Sequence, residues 1–121
     1  MKQHLLFICS ENVNRSPTAE SLFSNSLFYE AKSGGIGRNP VVRVSQALID
    51  WADVVFVMSE AEDGHLTLLE NIFNLKEKVV CDLDIPDDYD KDDPELIHSL
   101  QQKIKEFMLA RGIPVETETL G

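Results

Sequence analysis

Leu5-Leu6-Phe7-Ile8-Cys9-Ser10-Glu11-Asn12-Val13-Asn14-Arg15-Ser16-Pro17 is the stretch whose reading decides the fold. Leu5 to Ile8 are apolar and lead directly into Cys9, so the run predicts a buried strand that ends on a thiol. Beyond Arg15 stand Ser16 and Pro17, then Ala19, Leu22, Phe23 and Leu27 at helical spacing. Serine is favoured as a helix cap and proline at the first helical position, which predicts a helix from Ser16 or Pro17 to about Leu27. The segment therefore reads strand, tight loop, helix, with Cys9 opening the loop and Arg15 closing it.

That order suits an anion. The N–H groups of Ser10, Glu11, Asn12, Val13, Asn14 and Arg15 have no strand partners and can curl into a nest. The helix beginning near Ser16 adds the positive end of its dipole. The Arg15 guanidinium offers a planar fork of donors that matches two oxygens of a phosphate. Thiolate is the reactive form of cysteine and a positive field favours it, so one loop supplies both a pocket and a nucleophile. The plainer readings are a core cysteine, a surface arginine, an ordinary loop asparagine at Asn12 and a helix cap at Ser16. For Cys9 and Arg15 their coincidence around one loop outweighs the plainer reading; Ser16 reads as the helix cap, and Asn12 stays open.

Outward from this stretch, 121 residues fit one domain, taken as 1–121. A hydrophobic share of 43% supports a packed core. No apolar run is long enough for a membrane span, and the N-terminus lacks a signal-peptide layout. With Cys9 and Cys81 as its only cysteines, the chain has no disulfide framework, which predicts a reduced, cytoplasmic setting. The net charge of −10 argues against nucleic acid as a partner. No metal-ligand spacing or nucleotide fingerprint is present, and neither metal nor cofactor is expected.

Further along, residues 28–33 suggest a short second strand and 33–40 a glycine-rich loop. Residues 45–52 suggest a short helix and Val54 to Met58 a central strand. Glu60 to Phe73 reads as one helix, on which His65 is expected at the surface. Residues 79–83 form the last strand, and Asp93-Pro94 opens a helix with the stripe Leu96, Ile97, Leu100, Ile104, Phe107 and Met108. The tail after Gly112 reads as loose. Alternating strands and helices predict an α/β, three-layer, flavodoxin-like doubly wound fold with a four-stranded parallel sheet. Ligands in such sheets sit beyond the carboxyl ends of the strands. Cys9 and the acidic loop after the last strand would share that edge.

Cys9-x5-Arg15-Ser16 after a first strand, with Asn12 and Arg15-Ser16-Pro17-Thr18-Ala19-Glu20, resembles the signature of the low-molecular-weight protein tyrosine phosphatases, in a short variant. Ser33-Gly34 and Trp51-Ala52-Asp53 leading into Val54 to Met58 are further echoes. The resemblance implies a phosphomonoester hydrolase, foremost a protein tyrosine phosphatase, working through a cysteinyl-phosphate without a cofactor. Phosphorylated protein or a small aryl phosphate would be the substrate. The resemblance makes Cys9 the nucleophile and Arg15 the phosphate clamp. It adds a Ser16 hydroxyl bond to the Cys9 sulfur and a bracing role for Asn12. Aligned from the last strand, Asp87 takes the place of the general acid, with Asp88 second.

Three departures stand against the pattern. Glu11 occupies a position where the family has glycine; if its charge faces the mouth, it repels a dianion. Asn14 replaces a second loop cysteine. The aromatic pair after the acid shrinks to Tyr89, a rim residue or a half-buried loop tyrosine. These leave a catalytically weak anion-binding or regulatory protein as the alternative. An arsenate reductase is disfavoured because Cys81 has no cysteine partner nearby.

Overall fold

The computed structural model describes residues 2–120. Its elements in order are β1 (Gln3–Cys9), α1 (Arg15–Leu22), β2 (Tyr29–Gly35), α2 (Gln46–Trp51), β3 (Val54–Val57), α3 (Glu60–Asp63), α4 (His65–Ile72), β4 (Val79–Asp82), α5 (Pro94–Ala110) and α6 (Thr117–Leu120). The strands form one parallel sheet in the order β2-β1-β3-β4. This is the α/β, flavodoxin-like arrangement expected.

The pleat explains why β1 is apolar at every position from Leu5 onward. Leu5, Phe7 and Cys9 face one layer, packed with Val54, Phe56 and Met58 under α1, α5 and Leu120 of α6. Leu6 and Ile8 face the other, with Val55, Val57, Ile49 of α2 and Leu69 of α4. A strand buried on both faces has no polar face to show. Phe7 and Phe56 stack at 4.9 Å between the inner strands; truncating either to Ala costs about 3–5 kcal/mol. Because β2 and β3 flank β1 on opposite sides, the chain reverses its winding between β1 and β3. The crevice at their carboxyl ends is where such sheets hold ligands.

Several sequence expectations change. The first helix begins at Arg15 and ends at Leu22, with Asn14 rather than Ser16 at its cap. It stops early because the Ser26 hydroxyl accepts from the Phe28 and Tyr29 N–H groups, at 3.2 and 2.9 Å, and turns the chain into β2. Leu27 is left exposed. Gly34 and Gly35, expected as loop, pair in register with Ile8 and Cys9.

The single helix expected over 60–73 is two, broken at Gly64 with φ +64°. A Cβ at Gly64 would meet nothing within 4 Å, so glycine is there for its backbone conformation rather than for space. The tail is anchored. Glu116 accepts from Ser26 Oγ and from Leu27 N, and Leu120 is buried in the core. As expected, Asp93 caps α5 by accepting from Glu95 N at 2.8 Å. Among the described residues no helix is long and apolar enough to cross a membrane.

Candidate active site

The 9–15 loop leaves the carboxyl end of β1 and feeds α1. Its outer side is stitched to residues 36–41. The carbonyls of Cys9, Ser10 and Glu11 accept from the N–H groups of Ile36, Gly37 and Val41 at 3.0, 2.7 and 3.0 Å. The peptides among the described residues are trans, so each outward carbonyl directs the next N–H the opposite way. The N–H groups of Ser10, Glu11 and Asn12 therefore face away from residues 36–41. A cavity of about 250 Å³ is lined by Cys9, Ser10, Glu11, Val13, Asn14, Arg15 and Asp87. The neighbouring strap, not the loop's own sequence, sets the direction of these amides.

Asn12 holds the left-handed turn inside the loop, at φ +58°, and is buried. Its amide donates to Ser16 Oγ at 2.8 Å and Ser33 Oγ at 3.0 Å, and its oxygen accepts from Val42 N at 3.2 Å. Ser16 Oγ lies 2.9 Å from Cys9 Sγ and 3.3 Å from the Gly34 carbonyl. With Asn12 already donating to it, Ser16 has one proton to give. A Cys9 thiol donates to Ser16, which then donates to Gly34; a thiolate draws the Ser16 proton to itself. Ser16 thus sits in the first turn of α1 with its hydroxyl spent on this network rather than on capping.

Arg15 is almost wholly buried, its side chain 1% exposed. One terminal nitrogen, Nη1, donates to Asp63 Oδ2 at 2.8 Å and to the Ile85 carbonyl at 2.9 Å. Nε lies 3.6 Å from Asp87 Oδ1, too long for a hydrogen bond. Among the described residues Arg15 Nε is the buried side-chain polar atom without a hydrogen-bond partner. An orphaned buried donor of this kind is rare, and Arg15 lines the cavity.

The structure brings Cys9, Ser10, Glu11, Val13, Asn14, Arg15 and Asp87 to one cavity, with Asn12 and Ser16 behind it. Asp88 is exposed and does not line it. Tyr89 packs against the core, which favours the half-buried reading over the rim. Cys81 lies mid-strand as expected, and burial, then the Asp82 charge, pushes its thiol up to about 11.

Glu11 needs no positive φ; that conformation falls on Asn12. Its carboxylate accepts from Arg38 N at 3.1 Å and Asn39 N at 2.9 Å, and so is spent on the neighbouring turn. Gly37 makes room for it, since a Cβ there would come within 2.4 Å of Glu11 Oε1. A larger groove of about 530 Å³ adjoins across Val13, lined by Pro17, Val41, Val42 and Leu48 among others. It contains neither Cys9 nor Arg15, so the chemistry belongs to the smaller cavity.

Sequence reasoning missed Asp63 and His65. His65, expected at the surface, is fully buried. Its Nδ1 accepts from Ser59 N at 3.1 Å and its Nε2 lies 3.0 Å from Ser10 Oγ. Burial is the main cause that lowers its pKa; Asp63 opposes it, Arg15 adds to it, and Asp82 and Glu60 oppose it. On an unbroken helix, residues two apart point in nearly opposite directions. The Gly64 break lets Asp63 reach Arg15 while His65 reaches Ser10. The available signal was Asp63-Gly64-His65 closely following the carboxyl end of a central strand. Among the described residues no cluster of three or more His, Cys, Asp or Glu side chains is placed to hold a metal ion.

The four-stranded parallel sheet and its helices have the fold of the low-molecular-weight phosphotyrosine phosphatases. The structure is similar to a low-molecular-weight phosphotyrosine phosphatase of Vibrio cholerae, with a TM-score of 0.68 at 20% identity over 92% of this chain and 99% of that one. It is similar to the tyrosine phosphatase Wzb of Escherichia coli K30, solved in complex with phosphate, with a TM-score of 0.70 at 22% identity over 91% and 99%. It is also similar to the YwlE arginine phosphatase of Geobacillus stearothermophilus, with a TM-score of 0.62 at 21% identity over 90% and 94%. No protein-family model and no curated protein sequence matches the chain.

Proposed function

We propose that this chain is a phosphomonoester hydrolase that works through a cysteinyl-phosphate, with protein phosphotyrosine or a small aryl phosphate as substrate. The observation that carries the reading is that Arg15, whose Nε has no hydrogen-bond partner, lines the same cavity as Cys9. The loop amides and the α1 N-terminus complete a cradle for a tetrahedral dianion. The phosphatases of the same fold support the reading.

In the first step the Cys9 thiolate attacks phosphorus and the bond to the leaving oxygen breaks. Asp87, in its protonated form, gives that oxygen its proton. Asp87 is the acid that fits, because it lines the cavity and Asp88 does not. In the second step the Asp87 carboxylate takes a proton from water as the water oxygen attacks phosphorus. The S–P bond breaks, and inorganic phosphate and thiolate are released. Arg15 and the amides hold the equatorial oxygens throughout, where fixed donors are worth most. Ser16 stabilises the thiolate, as attacking and as leaving group, through the hydroxyl 2.9 Å away.

The test is hydrolysis of p-nitrophenyl phosphate by wild type and Cys9→Ser, with trapping of a phosphorylated cysteine by rapid acid quench. Turnover lost with the sulfur, and label on Cys9, is expected. Undiminished turnover in Cys9→Ser would overturn the proposal.

A further inference from the structure

The Ser10–His65 pair holds a donor that the mechanism above leaves unused. Ser59 N–H donates to His65 Nδ1, so this nitrogen carries no proton and the ring proton sits on Nε2. Nε2 has two acceptors in view. Asp63 Oδ2 is 3.8 Å away and already accepts a hydrogen bond from Arg15 Nη1, whereas Ser10 Oγ is at 3.0 Å. Nε2–H therefore donates to Ser10. A serine oxygen that accepts in this way still has its own hydrogen to give. Among the described residues no acceptor takes it, and Ser10 lines the cavity with Cys9 and Arg15.

We propose that the Ser10 hydroxyl is a further donor to the oxyanion held in the 9–15 loop, and that His65 is the positioning residue that aims it by donating Nε2–H to Ser10 Oγ. The inference rests on the anion-binding part of the function proposed above and names a side-chain contact to it. The groups facing His65 from its surroundings are Asp63, Arg15, Asp82 and Glu60. Protonating the ring would place Nδ1–H against the Ser59 N–H, so the geometry holds one tautomer. Gly64 makes the pair possible, because it starts α4 on a new axis with His65 as its first residue.

Inorganic phosphate affinity, measured by calorimetry on the full chain, tests the proposal alongside p-nitrophenyl phosphate turnover. Ser10→Ala should weaken phosphate binding about tenfold, the loss of one hydrogen bond to a charged group. Ser10→Thr, which keeps the hydroxyl, should restore it to within about twofold of wild type. His65→Phe should match Ser10→Ala, and His65→Gln, which keeps a donor near the Nε2 position, should recover most of the affinity. The double variant Ser10→Ala/His65→Phe should bind no worse than either single one, because the two act as a unit.

Imidazole 15N shifts of wild type should show Nε2 protonated and Nδ1 bare from pH 5.5 to 8. Unchanged phosphate affinity in Ser10→Ala overturns the proposal even if turnover proves the enzyme reading right. Tenfold weaker phosphate in Ser10→Ala, with a wild type that hydrolyses nothing, sinks the enzyme reading and leaves this one standing. Should His65→Phe fail to fold, the Ser10→Ala and Ser10→Thr pair and the wild-type 15N spectrum still decide; a protonated Nδ1 would overturn the role of His65.

Discussion

Glu11→Gly separates two accounts of the residue that departs most from the family pattern. If its charge sits at the mouth, removing it should tighten binding of a dianion. The structure gives the opposite expectation. The carboxylate accepts from Arg38 N and Asn39 N at 3.1 and 2.9 Å, and the Glu11 carbonyl accepts from Val41 N at 3.0 Å. Glu11 thus ties the loop to the strap that sets the direction of the amides.

Both carboxylate bonds face solvent, so each contributes about 0.5–1 kcal/mol net rather than the full value for a charged acceptor. Glycine adds about 0.5–1 kcal/mol of unfolded-state entropy to be lost. The sum is about 1.5–3 kcal/mol, or roughly 5–10 °C in Tm for a chain of this size. Strap and loop share these bonds, so the Michaelis constant for an aryl phosphate should rise as stability falls. Glu11→Gln removes the charge while keeping one acceptor, and should show about half of each effect. Thermal unfolding and steady-state kinetics on both variants are sufficient. A lower Michaelis constant in both, with Tm unchanged, would refute the anchoring argument and restore charge repulsion.

Alkylation by iodoacetamide at neutral pH should modify Cys9 and spare Cys81, whose thiol is pushed up to about 11; inorganic phosphate should protect Cys9. Mass spectrometry of the two peptides reads this directly, and equal labelling would contradict it. Asp87→Ala should slow substrates with poor leaving groups by 10²- to 10⁴-fold and spare activated ones, while Asp88→Ala changes little; the reverse pattern would move the acid by one residue. His65 is held below its usual range by burial, so the unfolded chain takes up a proton near pH 6.5 that the folded chain refuses. The stability tied to it is present above about pH 6.5 and is lost as pH falls below it. His65→Gln should flatten that slope in urea titrations at pH 7.5 and 5.5; an equally steep slope would refute it. Gly64→Ala places a Cβ at φ +64° and should cost about 1 kcal/mol, with weaker phosphate binding as Asp63 and His65 shift.

Much of the layer structure was legible because both faces of the sheet are buried. Leu5 to Ile8 and Val54 to Val57 leave no choice of solvent face, and an unbroken apolar run says so directly. The stripe of α5 was equally plain, with Leu96, Leu100, Ile104 and Met108 all buried. Elements whose limits depend on side-chain bonds from elsewhere were misjudged. The end of α1 is set by Ser26, and the ordered tail by Glu116 reaching Ser26 and Leu27. The 60–73 segment has helical periodicity throughout, which hides a single left-handed residue in its middle.

Cys9, Arg15 and the N-terminus of α1 follow from the chain alone, since neighbours along a strand, a short loop and a helix cannot be far apart in space. Their order determined which anion chemistry to look for. Which way the loop amides point was decided by residues 36–41, which take the carbonyls, and those residues are distant in sequence. Likewise, Asp63 on Arg15 and His65 on Ser10 are pairings across the crevice between β1 and β3. Local sequence fixes what a loop contains; the direction of its hydrogen bonds belongs to whatever the fold packs against it.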